Sequence, residues 1–410
     1  VNSLAHRTTW LRSDFQCAPR EKSFAHQHFQ SGGGNFMSKY EENLERIKKA
    51  IAFEPVDRVP VAPCANAYYA KACGLPLKTY ITDFDAACTV NLKCHQDMDA
   101  DATQNVIFSP YLLPAQWLSK IATPGNELGD DDMWQIVEQA DFMKQEDYQI
   151  ILDKGFEYFF EKFKKEKLDD NNAKLEPFFA ANPAAYKRFH DAGIPCICDF
   201  LMITPFEFFC GGRGLENFFA DDLFEEPEMM DEVFAKTMEY TMKTYQAQMD
   251  ALHPIGVWIG GWRTSPQMLS PALWDRFVWP YFKQYADLCL KNNVIPIFHL
   301  DSCWDLAIER FLEMPAKKCI MALDSTTDIR RARKILGDHM CILGDVPAQL
   351  LAFGTYDDVY KYVTDVIDDI GPLGYIAASG CDIPSNAKPE NAKAIADAAH
   401  DYIKNHPGCC

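Results

Sequence analysis

No uninterrupted apolar run in this chain approaches the roughly 20 residues that a membrane span needs. No charged start followed by an apolar stretch marks a signal peptide either, so a cytoplasmic location is expected. Basic charge is scarce: 40 Lys and Arg stand against 59 Asp and Glu, a net charge of -19. A field of that sign repels phosphate backbones and anionic lipid heads, which argues against nucleic acid or a membrane as partner. The 15 cysteines are odd in number and widely spread, without the dense pairing of a small secreted scaffold, and read as thiols. Nucleotide fingerprints and internal repeats are missing. Gly211-Gly212-Arg213-Gly214 lacks the strand-glycine-helix context of a phosphate loop and reads as a turn.

What is present is apolar mass: 410 residues, 48% hydrophobic and 13% aromatic, enough for one large core. Residues 1–36 lack helical periodicity and are expected to be a linker-like extension or upstream translation; the fold is expected over 37–410. Helical spacing begins at Tyr40-Glu41-Glu42-Asn43-Leu44, with Pro55 and Pro60 beyond it. Eight short apolar runs follow, at Val59 to Cys64, Ala102 to Phe108, Ile194 to Phe200, Gly256 to Gly260, Val294 to Leu300, Cys319 to Leu323, Met340 to Gly344 and Tyr375 to Ser379. Helical patterns such as Trp304 to Leu312, Asp328 to Leu336 and Tyr356 to Ile370 separate the later ones, the rhythm of a TIM-type (β/α)8 barrel. A charged, aromatic stretch over about 113–192 is expected as a helical insertion between strands two and three, over the barrel mouth.

In such a barrel the reactive groups stand at the carboxyl ends of strands. Strand five ends Phe298-His299-Leu300-Asp301, and strand eight ends Ser379-Gly380-Cys381. Two residues apart on an extended segment, His299 and Asp301 point to one side, and Cys381 arrives from another strand. Imidazole, carboxylate and thiolate are all zinc ligands, so the three are expected to hold zinc, with His299 and Asp301 also in catalytic roles. Cys341 is a fourth candidate if its register turns it inward. Any one of these residues taken alone is more ordinary as core or hydrogen-bonded structure. Around the expected mouth, Tyr68, Tyr69, Trp258, Trp262 and Trp304 offer aromatic surface for a planar ring, though core packing explains them equally. Arg263 can pair a substrate carboxylate and Asp199 can orient a donor, or each can be a structural ion pair.

Leu269-Ser270-Pro271-Ala272-Leu273-Trp274-Asp275-Arg276-Phe277, the His299-Leu300-Asp301 strand end, Gly344-Asp345-Val346-Pro347 and Ser379-Gly380-Cys381-Asp382-Ile383-Pro384 together resemble the uroporphyrinogen decarboxylase superfamily over about Met37 to Ile403. The arginine-rich motif that lets true decarboxylases grip an acidic tetrapyrrole is absent: Ala65-Asn66-Ala67-Tyr68-Tyr69 follows the first strand instead. The corrinoid-dependent methyltransferase branch holds zinc with a His-x-Cys pair and a later Gly-Cys. His299 and Cys381 match that pattern, while Asp301 replaces the middle cysteine. A carboxylate in place of a thiolate makes zinc a harder Lewis acid, suited to polarising an ether oxygen. The resemblance therefore implies an O-demethylase methyltransferase, moving methyl from an aryl methyl ether to the cob(I)alamin of a separate corrinoid protein, with a homodimer left open. Delivery of methyl from a methylcobamide to a thiol or tetrahydrofolate is the alternative, and a non-catalytic corrinoid- or tetrapyrrole-binding barrel is a third.

Overall fold

Runs that are apolar on both faces suit parallel strands buried between a lumen and a coat of helices. The computed structural model, which describes residues 37–137, 142–168 and 171–408, builds such runs into a six-stranded parallel sheet. The extension expected over 1–36 lies outside the described residues. A separate antiparallel pair comes first, β1 (Lys120–Ala122) with β2 (Gln135–Val137). The sheet then runs in chain order: β3 (Leu201–Met202), β4 (Gly256–Gly261), β5 (Ile295–Leu300), β6 (Ile320–Leu323), β7 (Cys341–Val346) and β8 (Tyr375–Ser379).

Two extended segments close the ring into a (β/α)8 barrel. Val61 bridges Ala377 of β8, and its carbonyl accepts from the backbone N–H of Asp101 and Ala102. Thr103 in turn bridges Cys196, and Asp199 donates to the Gly256 carbonyl at the foot of β4. The first three strands are thus shorter and more broken than the expected runs; in the first and third, Pro60, Pro63 and Pro195 have no N–H to give a ladder.

Alternation sorts the strand residues into two layers. Ile297, Ile320, Cys341, Leu343, Ile376 and Ala378 pack together with Ala62, Ala102 and Ile197 in the lumen. Their neighbours Phe298, Leu300, Met321, Leu323 and Ile342 join the large cluster under the helices. Outer helices are capped as their sequences dictate. Ser38 and Glu41 form a capping box on Lys39–Ala52, Thr355 and Asp358 another on Tyr356–Ile370, and Asp328 caps Ile329–Leu336. The stretch expected as a helix from Trp304 is a turn followed by a 3-10 helix over Ile308–Glu313.

The insertion holds helices Asp147–Lys154, Phe156–Lys167 and Asn171–Asp191 as well as β1 and β2. Phe156 packs its ring on Phe208, Phe209 and Tyr240, and Phe178 packs on Phe84, so these helices are seated on outer helices of the barrel. Trp117 is the insertion residue that reaches the mouth, its ring 5.1 Å from that of Trp262. Among the described residues no helix is long and apolar enough to cross a membrane.

Candidate metal centre

The β4–β5 ladder sets Gly260 level with His299, and the Asp301 N–H continues it by donating to the Gly261 carbonyl at 3.1 Å. With two residues per pleat, His299 and Asp301 therefore face the lumen together above Ile297. Beyond β8, Gly380 donates to the Val346 carbonyl and lies against the Asp324 backbone, where a Cβ would come within 2.7 Å of a carbonyl carbon. Only glycine allows that approach, and it delivers Cys381 to the same point.

His299 Nε2 lies 3.3 Å from Asp301 Oδ1 and 3.5 Å from Cys381 Sγ. One ligand atom from each of the three residues falls within 4.8 Å of the others. Asp301 Oδ1 is buried and makes no hydrogen bond. A nitrogen, an oxygen and a sulfur donor converging on one point fit a divalent ion such as zinc, which would replace the Cys381–His299 hydrogen bond and leave a fourth position open. Cys381 is exposed as a residue, yet enough protein surrounds its sulfur to push the thiol well above its ordinary range, with the charges of Asp301 and Asp382 adding to the effect. A bound cation would reverse that balance by its own charge.

The surroundings fix these groups. The Trp258 indole stacks on the His299 imidazole at 3.9 Å and 9°. Trp262 folds back over Gly260, where a Cβ would stand 1.7 Å from the indole. Its loop is gripped by Glu207, wholly buried, which accepts from the N–H of Trp262 at 2.9 Å and of Arg263 at 2.7 Å. Burial raises the Glu207 carboxyl above its usual range, against the pull of Arg263. Asp382 is held on the other side by both bonds from Asn66 Nδ2, at 3.1 and 3.0 Å, and by the Cys64 thiol at 3.4 Å.

The remaining candidates are placed as follows. Trp258 and Trp262 stand beside His299, the latter with its ring 6.3 Å away. Arg263 is engaged with Glu207 and lies over the Trp117 ring, so it is a clamp on its own loop. Cys341 does face the lumen, but it pairs level with Ile320, which pairs with Ile297, one pleat below His299. It is buried in the apolar layer and does not join the three ligands. Tyr68 belongs to the flank, beside Cys94, Met98 and Pro389, because the helix Ala67–Ala72 turns it away from the lumen. Tyr69 is fully buried with its hydroxyl 3.3 Å from His95 Nε2. Trp304 is likewise wholly buried, among Phe282, Phe298 and Phe311, and serves the site only through its indole N–H on the Asp301 carbonyl. Asp199 accepts from the Ile255 N–H at 2.9 Å, at the foot of β4 and the opposite end from the mouth. Asn66 and Asp382 escaped the sequence reading although both directly follow strand ends, the signal that found Cys381. Glu207 offered no signal, since it sits within the apolar run Pro205-Phe206-Glu207-Phe208-Phe209.

The fold is a (β/α) barrel, and a nitrogen, an oxygen and a sulfur donor at its mouth are placed so that they could hold a metal ion. Residues 202–402, just under half of the chain, match the family model described as Uroporphyrinogen decarboxylase (URO-D). Two similar curated proteins carry the name uroporphyrinogen decarboxylase. The one from Syntrophotalea carbinolica is 28% identical over 48% of this chain and 57% of its own length. The one from Citrifermentans bemidjiense is 29% identical over 48% and 58%. The chain thus spans little more than half the length of these relatives. A solved structure named methyltransferase from Methanosarcina mazei superposes over 88% of this chain and 98% of its own, with a TM-score of 0.63 and 14% identity, a likeness of fold.

Proposed function

We propose that this protein is a zinc-dependent methyltransferase that moves a methyl group from an aryl methyl ether to the cob(I)alamin of a separate corrinoid protein. The observation that carries the reading is the convergence of His299, Asp301 and Cys381 at the open end of the barrel. The methyltransferase name of the structural neighbour supports it at the level of reaction class.

These three side chains would hold zinc, which supplies Lewis acidity for a leaving phenolate oxygen. Stacking on Trp258 fixes the plane of the imidazole and presents Nε2 to the centre. Asp301 contributes a carboxylate whose backbone is pinned on both sides, by Trp304 and by the Gly261 carbonyl. Trp262 and Trp117 form an apolar wall beside the centre, suited to a planar ring and to excluding water from it. A corrinoid partner docked over the mouth would supply the nucleophile that accepts the methyl.

The names of the curated relatives favour a second reading, decarboxylation of an acidic tetrapyrrole. Against it, the segment after the first strand offers Asn66, already committed to Asp382, where a propionate-binding arginine would be needed. Metal content of the purified protein and of its His299→Ala and Cys381→Ala variants tests the first reading, with turnover of methoxylated aromatics measured alongside cob(I)alamin and the partner. Stoichiometric zinc in the parent, lost in both variants together with turnover, is the expected result. Zinc retained in both variants, or carbon dioxide released from a uroporphyrinogen with no demethylation, overturns it.

A further inference from the structure

On the flank of the barrel, away from the metal centre, a cavity of about 660 Å³ opens between helices Phe84–Met98 and Pro389–Asn405. Tyr68, Cys73, Lys93, Cys94, Glu390 and Lys393 are among the residues that line it. The two thiols are in contact, Sγ to Sγ 3.7 Å, although 21 residues separate them in sequence. Cys73 ends the helix Ala67–Ala72 and is partly exposed, whereas Cys94 lies inside the neighbouring helix and is buried. A disulfide needs an S–S separation of about 2.05 Å, so closure has to bring the two sulfurs together from 3.7 Å.

We propose that Cys73 and Cys94 are a modification site, a dithiol that takes a low-molecular-weight disulfide from the cavity and closes to an intramolecular disulfide. Cys73, the sulfur a reagent meets first, loses its proton and attacks one sulfur of RSSR. The reagent's S–S bond breaks, and the first RS⁻ leaves and takes up a proton. Cys94 then loses its proton and attacks Cys73 Sγ, breaking the mixed disulfide and releasing a second RS⁻, which is protonated in turn. Two protein thiols are oxidised and RSSR is reduced to two RSH, so electrons and protons balance. Burial and the neighbouring Cys73 sulfur push the Cys94 thiol well up, with Lys93 opposing, so Cys94 is slow toward reagents from solution, and its 3.7 Å contact with Cys73 is what assigns it the second, intramolecular attack. Closure would tie the short helix to its neighbour directly after Asn66, the residue that holds Asp382 beside the metal ligands.

The full chain is incubated folded with excess oxidised glutathione, quenched by alkylation, digested and mapped by mass spectrometry. The expected product is a Cys73–Cys94 linked peptide pair lighter by two hydrogens and restored by reductant. In Cys94→Ser a glutathione adduct persists at Cys73, and in Cys73→Ser the Cys94 thiol stays unmodified. Should Cys94→Ser fail to fold, the parent and Cys73→Ser decide the matter. Glutathione left on Cys73 in the parent, or both thiols alkylated there, overturns the proposal.

Discussion

A His–Asp pair stands at each end of the barrel, fully buried at the base and half-buried at the mouth, and the chemistry around them differs. At the base, Asp101 accepts from His400 Nε2 at 3.0 Å, from Arg46 Nη1 at 2.9 Å, from Arg58 Nη2 at 2.7 Å and from the Val61 N–H at 2.9 Å. Burial works against its charge, yet His400, Arg58 and Arg46 together hold its carboxyl below the usual range. At the mouth, His299 and Asp301 have the same separation in kind, 3.3 Å, but Asp301 Oδ1 and His299 Nδ1 make no hydrogen bond, and a thiol stands where the base has guanidinium groups. A closed set of partners ties helix Lys39–Ala52, the first strand and helix Pro389–Asn405 together. An open set keeps coordination capacity for something the chain does not itself provide. The same residue types thus build a structural rivet at one end and, on the proposed reading, a ligand set at the other.

That contrast breaks most visibly at Asp101. Asp101→Ala would leave His400 and two arginines facing an apolar gap, and a loss of about 3–5 kcal/mol is expected, read as a lowered denaturant midpoint. Zinc content of whatever fraction still folds should be unchanged, and metal loss in that fraction would show that the two ends are not independent. Asp301→Ala should do the reverse. Metal affinity and turnover fall by about 100-fold or more, whereas the denaturant midpoint of the metal-free protein moves by less than about 1 kcal/mol, because the deleted carboxylate accepts little within the fold. A large drop in metal-free stability would mean that Asp301 belongs with Asp101 as structure.

Between these extremes stands Glu207, buried like Asp101 but facing the mouth. Glu207→Gln keeps the shape while weakening the grip on the Trp262 and Arg263 N–H groups and on the guanidinium, at about 1–3 kcal/mol. Zinc should stay bound, and KM for an aromatic substrate should rise more than kcat falls, since the loss is in the wall and not in the ligands. Unchanged KM with lost metal would sink this assignment.

The second half of the barrel was legible because β4 to β8 are uninterrupted apolar runs, and the two-residue spacing of His299 and Asp301 needs only an extended backbone to become a shared face. For Cys341 the inward register that its candidacy required is met, but sequence does not show height, and one pleat of about 6.6 Å keeps it from His299, Asp301 and Cys381. Tyr68 and Trp304 failed for a different reason. Each follows a strand end, but the local helix or turn points the ring sideways into the coat, against Pro389, hundreds of residues away, for Tyr68 and against Phe282 and Phe311 for Trp304. Glu207 was hidden by its phenylalanine neighbours, and its role emerges only when the loop after β4 lays two N–H groups against it.

Asp345 gives the mildest test of how far burial without full pairing differs from the saturated Asp101. It is 2% exposed and accepts one side-chain hydrogen bond, from the Tyr362 hydroxyl at 3.1 Å. Burial pushes its carboxyl up to about 6, with Tyr362 pulling the other way. Because the folded state holds this proton more tightly than the unfolded chain, stability from this group is complete below about pH 4 and is lost as pH rises through about 6. Asp101, held low, contributes in the opposite sense. In Asp345→Asn the slope between pH 4 and 6 should disappear, and the amide keeps the Tyr362 bond while leaving its own N–H groups short of partners. The net gain at neutral pH is therefore about 1 kcal/mol, vanishing or reversing in acid. Paired denaturant titrations of parent and variant across that range read the difference, and a gap that widens toward acid pH would place the charge of Asp345 among the stabilising ones.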